Sequence, residues 1–291
     1  MIFFKRPQYI LSWNGKTLNL GKKTLIMGVL NVTPDSFSDG GEFFDADRAL
    51  DQAEHMVALG ADIIDIGGES TRPFSDSISE EEEIKRIIPI ISKLASRKDV
   101  LISVDTYKSR VAERALDAGA TIINDVSALR FDPKMVQIAA KRGVPVILMH
   151  MLGTPKTMQE SPHYDAVIGE IISFLEQRIK YAVDNGIKRE LIIVDPGIGF
   201  GKTVTHNLLI LRGLRAFHTL ECPLIIGASR KKFIGKIIGQ ENPHEREIGT
   251  GAVTCLSIVG GVHIIRVHNV EHNLQVTRIT EAILDAKSHS R

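Results

Sequence analysis

The sequence predicts an α/β fold, a (β/α)8 barrel carrying an N-terminal β-hairpin, and three observations predict it. Eight short apolar runs recur along the chain, each followed by sequence of helical period. The runs are almost unbroken in β-branched and aliphatic residues, as in strands of a parallel sheet buried on both faces. No Gly/Ser/Pro linker or shift of composition divides the 291 residues, and one barrel of about 250 residues fits that length. The expectation is one domain over residues 1–291. The rival, a doubly wound open sheet, would need fewer strands.

Taken in order, Tyr9–Trp13, Asn14-Gly15 and Lys16–Leu20 spell a hairpin with a type I′ turn, placed under the barrel bottom. The eight strands are predicted at Thr24–Asn31, Asp62–Gly67, Leu101–Thr106, Thr121–Val126, Pro145–His150, Leu191–Pro196, Pro223–Ala228 and His263–His268. Helix punctuation lies between them. Ser79 to Glu82 reads as a capping box, and the run Glu80–Glu83 as a solvated helix start. Asp132-Pro133 opens a helix that Gly143 closes; Gly60, Gly119 and Gly186 stand where others stop. The weakly polar stretch from Gly249 to Val262 is too short to span a bilayer and reads as a buried helix.

Composition narrows the function. With 36 Lys+Arg against 35 Asp+Glu the net charge is +1, which argues against a nucleic-acid partner bound through a basic field and against a polybasic membrane anchor. Hydrophobic residues are 43% and charged residues 24%, a globular balance. The N-terminal residues hold no secretory apolar region. Two cysteines, Cys222 and Cys255, form no disulfide framework and no CxxC, so a reducing, cytoplasmic setting is expected.

In such barrels the active site forms at the C-terminal ends of the strands. Those ends read Asn31, Gly68 to Arg72, Asp105, Asn124-Asp125, His150, Asp195, Ser229 to Lys231, and Arg266 with His268. Any one of these could be no more than a helix cap, but a complete ring exceeds what capping demands. Asp105 and Asp195 end apolar runs, where a carboxylate is costly unless bonded or charge-paired. Together with Asn124 they offer acceptors to a flat ring bearing several N–H groups, and Lys231 offers a donor. Residues 195–202 are glycine-rich but lack the GxxxxGK[ST] spacing, so no P-loop is read; the glycines let backbone approach a flat ligand. Across the mouth, Arg266, His268, Asn31 and Thr71 are expected to form a rim suited to phosphate or pyrophosphate. Asn31 also offers an oxygen to Mg2+. His150 fits either a functional group or a satisfied barrel histidine. His206, His218 and His244 are read as surface residues, without metal-ligand spacing. The loops 33–41, which holds Phe37, and 67–77 read either as lids over the mouth or as plain connectors.

These residues also carry a resemblance. Met27 to Gly41 (MGVLNVTPDSFSDGG) closely resembles the first signature of dihydropteroate synthases, and Asp65 to Pro73 (DIGGESTRP) the second. Shorter matches follow in the right order at 103–106, 123–125, 149–151, 195–202, 229–231 and 266–268, so the resemblance covers nearly the whole chain. It implies a folate-pathway transferase that condenses 6-hydroxymethyl-7,8-dihydropterin diphosphate with 4-aminobenzoate. It further implies Mg2+ as cofactor, a homodimer and inhibition by sulfonamides. By the same resemblance Asp105, Asn124, Asp195 and Lys231 hold the pterin, and Asn31 binds Mg2+. Asn31, Thr71, Arg266 and His268 meet the diphosphate. Phe37, Pro73, Phe200 and Lys231 border the aminobenzoate, with Asp39 and Arg72 ordering the two loops. Three positions depart from the pattern. Asn269 stands where Asp commonly follows the histidine, Lys232 where some relatives carry a small hydroxyl residue, and Phe74 where a small residue is usual. The alternatives are a pterin-dependent methyltransferase acting on methyltetrahydrofolate and a corrinoid protein, which would not need the phosphate rim, and a non-catalytic pterin-binding paralogue.

Overall fold

The computed structural model describes residues 5–33, 42–70, 75–96 and 100–286, with the side chains of 42–45 outside that description. Strands β1 (Tyr9–Trp13) and β2 (Lys16–Leu20) pair antiparallel with Trp13 opposite Lys16. Asn14 (φ 44°) and Gly15 (φ 75°) are both left-handed, the requirement of a type I′ turn. Alternation turns Leu11, Trp13, Leu18 and Leu20 into the core. The segment leading into the hairpin is tied to residues that precede barrel strands. Arg6 donates to the Val262 carbonyl (2.8 Å), and His263 Nε2 donates to the Pro7 carbonyl (3.0 Å) while its Nδ1 accepts the Leu224 amide. The hairpin therefore lies on the barrel bottom, as expected.

Eight parallel strands follow: β3 (Leu25–Asn31), β4 (Ile63–Gly67), β5 (Leu101–Asp105), β6 (Ile122–Asp125), β7 (Val146–Met149), β8 (Ile192–Asp195), β9 (Ile225–Ile226) and β10 (Ile264–Val267). Their spatial order is β8-β7-β6-β5-β4-β3-β10-β9. The ring closes where Val194 bridges Leu224 and its amide reaches the Pro223 carbonyl at 2.9 Å. All eight predicted strands are present, each shorter than its apolar run; β9 keeps only two of six residues.

Helices α1 (Glu42–Ala58), α2 (Glu80–Leu94), α3 (Ser109–Ala118), α4 (Met135–Arg142), α5 (Val167–Asp184) and α6 (Val204–Arg212) each follow a strand. Two helices, α7 (Lys232–Ile238) and α8 (Glu247–Val259), separate β9 from β10, and α9 (Val270–Asp285) ends the barrel. Gly60, Gly119 and Gly186 have φ of 100°, 116° and 93°, so the predicted stops hold.

Three sequence expectations need correction. Ser79 caps α2 by accepting the Glu82 amide, but the Glu82 carboxylate pairs with Arg86 (2.8 Å) one turn on. Asp132 is not the N-cap of α4; its carboxylate takes the Lys134 and Ser109 amides, joining the starts of α4 and α3. The stretch 249–262 is buried on one side only: on α8, Ile248 is 83% and Leu256 60% exposed. Among the described residues no helix is long and apolar enough to cross a membrane.

Candidate active site

Register brings the polar strand ends together. Asp105 on β5 lies beside Asn124 on β6, and Met149 on β7 beside Asp195 on β8. One position inside the ring, on β4, stands Asp65, fully buried in the run Ile63-Ile64-Asp65-Ile66. Asp65 Oδ2 accepts the Asn124 amide nitrogen at 3.0 Å and Arg266 Nε at 2.6 Å. The same guanidinium reaches Asp105 Oδ2 through Nη2 at 2.7 Å. The sequence reading put Arg266 on a phosphate rim apart from the pterin acceptors. The guanidinium lies against those acceptors, bridging Asp65 and Asp105, because two carboxylates out of water need a shared cation.

Burial dominates the acids. It pushes the Asp105 carboxyl up to about 7; Asp65 adds to the rise and Arg266 opposes it. It pushes Asp195 up to about 6 against the Gly197 amide, Lys231 and Arg266. Asp195 Oδ1 accepts the Gly197 N–H at 2.7 Å, which turns the chain into residues 197–201. Only glycine fits at 197, where φ is 71° and a Cβ would lie 1.9 Å from the His150 carbonyl oxygen. This loop sets Phe200 beside Lys231, whose ammonium stands 4.0 Å from the ring centroid. Two residues that the resemblance places at the aminobenzoate, one of them shared with the pterin, are thus in contact.

On the far side, Val267 pairs with Gly28, so Asn31 lies three residues further along β3, opposite Gly67 of β4. The Ser229 hydroxyl accepts the His268 amide (3.2 Å) and lies 3.0 Å from His268 Nδ1. Asn269 caps α9 through the His272 amide, so His268 takes its orientation from Ser229. Asp serves equally well at an N-cap, so this departure from the pattern leaves the cap intact. Lys232 opens α7 with an exposed side chain. Phe37, Asp39, Thr71, Arg72, Pro73 and Phe74 lie outside the described residues.

His150 proves to be a satisfied barrel histidine: it is buried, bonded to Lys202, and pushed down to about 2, chiefly by burial. Asp125 serves its own loop, accepting the Ser127 (2.7 Å) and Leu129 (2.9 Å) amides. His206 and His218 are half-buried, not surface residues; only His244 is exposed. Sequence reading assigned no role to Asp65 or Lys202. Asp65 carried the same signal as Asp105, a carboxylate within an apolar run, but sits two residues short of its strand end. Among the described residues no group of three or more His, Cys, Asp or Glu could hold a metal ion.

A family model described as pterin binding enzyme matches residues 27–268. The chain is 48% identical over 270 residues to the dihydropteroate synthase of Synechocystis sp., covering 92% of this chain and 93% of that one. It superposes on the crystal structure of Yersinia pestis dihydropteroate synthase with a sulfonamide drug complex, with TM-score 0.89, 44% identity and coverage of 96% and 100%. It is equally similar to Xanthomonas albilineans dihydropteroate synthase with 4-aminobenzoic acid, with TM-score 0.90, 39% identity and coverage of 97% and 100%.

Proposed function

The chain belongs to the pterin-binding enzyme family, and from that premise we infer that it catalyses the dihydropteroate synthase reaction. As a transferase of folate biosynthesis it condenses 6-hydroxymethyl-7,8-dihydropterin diphosphate with 4-aminobenzoate to give 7,8-dihydropteroate and pyrophosphate. The observation that carries this reading is the set at one end of the barrel made of buried Asp65, Asn124 and Asp195 with half-buried Asp105, Lys231 and Arg266. Such a set matches a flat heterocycle with several N–H donors and a few acceptors.

In this reading Asp105, Asn124 and Asp195 accept from the pterin ring and its amino group, and Lys231 donates to a ring acceptor. The C–O bond to the diphosphate breaks ahead of C–N formation, and the resulting positive charge spreads into the electron-rich ring. Asp105 and Asp195 favour that charge; His268, Arg266, Asn31 and Thr71 favour the departing anion. The amine then bonds to the methylene carbon and releases its proton to solvent. Asn31 offers one hard amide oxygen, and among the described residues no carboxylate cluster surrounds it, a donor set that suits Mg2+ carried in on a diphosphate with its waters. When bound there the ion supplies charge neutralisation to the leaving group. Phe200, Phe37 and Pro73 wall the aminobenzoate, with Asp39 and Arg72 ordering their loops, and sulfonamides compete for that wall.

The assembly proposed is a homodimer in the cytoplasm. Ile237, Ile238, Ile248, Leu256, Ile279 and Ile283 are exposed on α7, α8 and α9, and the reading takes them as the face that pairs. Aminobenzoate consumption with the pterin diphosphate tests the reaction. One pyrophosphate released per aminobenzoate, and only with Mg2+, is the expected result. Methyl transfer from methyltetrahydrofolate in its place would favour the methyltransferase reading.

A further inference from the structure

Lys202 is a buried amine that the proposed chemistry does not use, pushed down to about 7 chiefly by burial, with Asp195 opposing the fall. It is 3% exposed, and among the described residues it forms no ion pair with a carboxylate. An aliphatic side chain would fill the space without the cost of a buried charge. Its Nζ donates to the Phe200 carbonyl (2.9 Å) and lies 2.9 Å from His150 Nδ1. Burial keeps the His150 ring neutral, so one of its nitrogens is bare, and donation from Lys202 requires that it be Nδ1. The ring packs edge-on against Phe174, centroids 4.8 Å apart.

The rest of the loop is held in the same manner. Gln159 Nε2 donates to the Gly199 carbonyl and the Tyr164 hydroxyl to the Gly201 carbonyl, both at 2.8 Å, while Asn207 accepts the Gly199 amide. Lys202 holds the carbonyl of the one residue in the loop with a functional side chain, Phe200, which meets Lys231. We propose that Lys202 is a positioning residue for Phe200, its Nζ clasping the Phe200 carbonyl to the His150 ring so that the aromatic wall stands square to Lys231 and the second substrate. The inference rests on the reading of Phe200 as a wall of the aminobenzoate site.

A double-mutant cycle reads it. Lys202→Met and Phe200→Leu should each lower kcat/KM for aminobenzoate by roughly 30-fold, and the double variant should fall within about threefold of the worse single one. The loss should sit in KM for aminobenzoate, with the Kd of an unphosphorylated pterin changed less than about threefold. Additive losses near a thousandfold, or wild-type behaviour of Lys202→Met, would overturn the proposal. Nitrogen-15 NMR of histidine-labelled wild-type protein needs neither a folded variant nor turnover. A bare Nδ1 and protonated Nε2 on His150 support the clasp, and a proton on Nδ1 overturns it. Absent wild-type turnover would refute the reaction reading, leaving the clasp to be decided by that spectrum.

Discussion

Asp105 and Asp195 give the pocket its pH dependence. Burial holds them at about 7 and about 6, and each accepts a pterin N–H more strongly, and at both oxygens, as a carboxylate. Affinity for an unphosphorylated dihydropterin should therefore rise between roughly pH 5.5 and 8, and Asp105→Asn should flatten the upper part of that rise. For stability the sign is opposite. Acids whose folded pKa lies above the unfolded value keep protons the unfolded chain has lost, so from about pH 4 to 7 these two groups make the ligand-free chain less stable as pH rises. Arg266→Ala would leave Asp65 and Asp105 buried without their shared cation. It should weaken the unphosphorylated pterin more than about tenfold, where a purely phosphate-binding arginine would change it little. Calorimetric titration separates the two. At this scale the sequence was legible where a polar residue ended an apolar run. Asp65 was passed over because attention went to strand ends, and Lys202 because a lysine after a glycine loop is ordinarily solvated.

Between β4, α2 and α3, one ammonium joins three elements. Lys108 bonds Glu69, Glu83 (2.8 Å) and the Ile78 carbonyl (2.8 Å), and the Tyr107 hydroxyl donates to Glu69 at 2.6 Å. Glu83 is 1% exposed, so the run Glu80–Glu83 is solvated at its start and buried at its end. Helical period would have shown this: Glu83 shares the stripe of Ile87, Ile90, Ile91 and Leu94. Lys108→Met should destabilise the fold by about 3–5 kcal/mol in chemical denaturation, since it strands two buried carboxylates. A loss under about 1 kcal/mol would mean they are solvated or protonated at little cost. Strands were read well because parallel strands buried on both faces need unbroken apolar runs. Helix starts were read less well because Asp132 found a tertiary partner in Ser109, and Glu82 a partner one turn on in Arg86, in place of their caps.

For the molecule as a whole, the eight-fold count was legible in the sequence, while the closure through Val194 and Leu224 was not, since a single bridge leaves no pattern. The small residues of α8 hid its two faces. With Ile248 and Leu256 exposed, light scattering should give twice the 32.1 kDa chain mass. Ile248→Asp combined with Leu256→Asp should yield a folded monomer, because a charge in each apolar interface core disfavours pairing. A wild-type monomer would leave that face without its proposed partner.

The barrel mouth as a pterin pocket is the claim on which the rest depends, and calorimetric binding of an unphosphorylated dihydropterin to wild type and Asp195→Asn tests it most directly. The substitution turns one acceptor into a donor facing the ligand's own N–H groups, at a cost of roughly 2–4 kcal/mol. A loss of affinity of that size, with the melting temperature held, is the result predicted. Binding within about threefold of wild type, less than 1 kcal/mol, would contradict the assignment of Asp195 and with it the placement of the pterin.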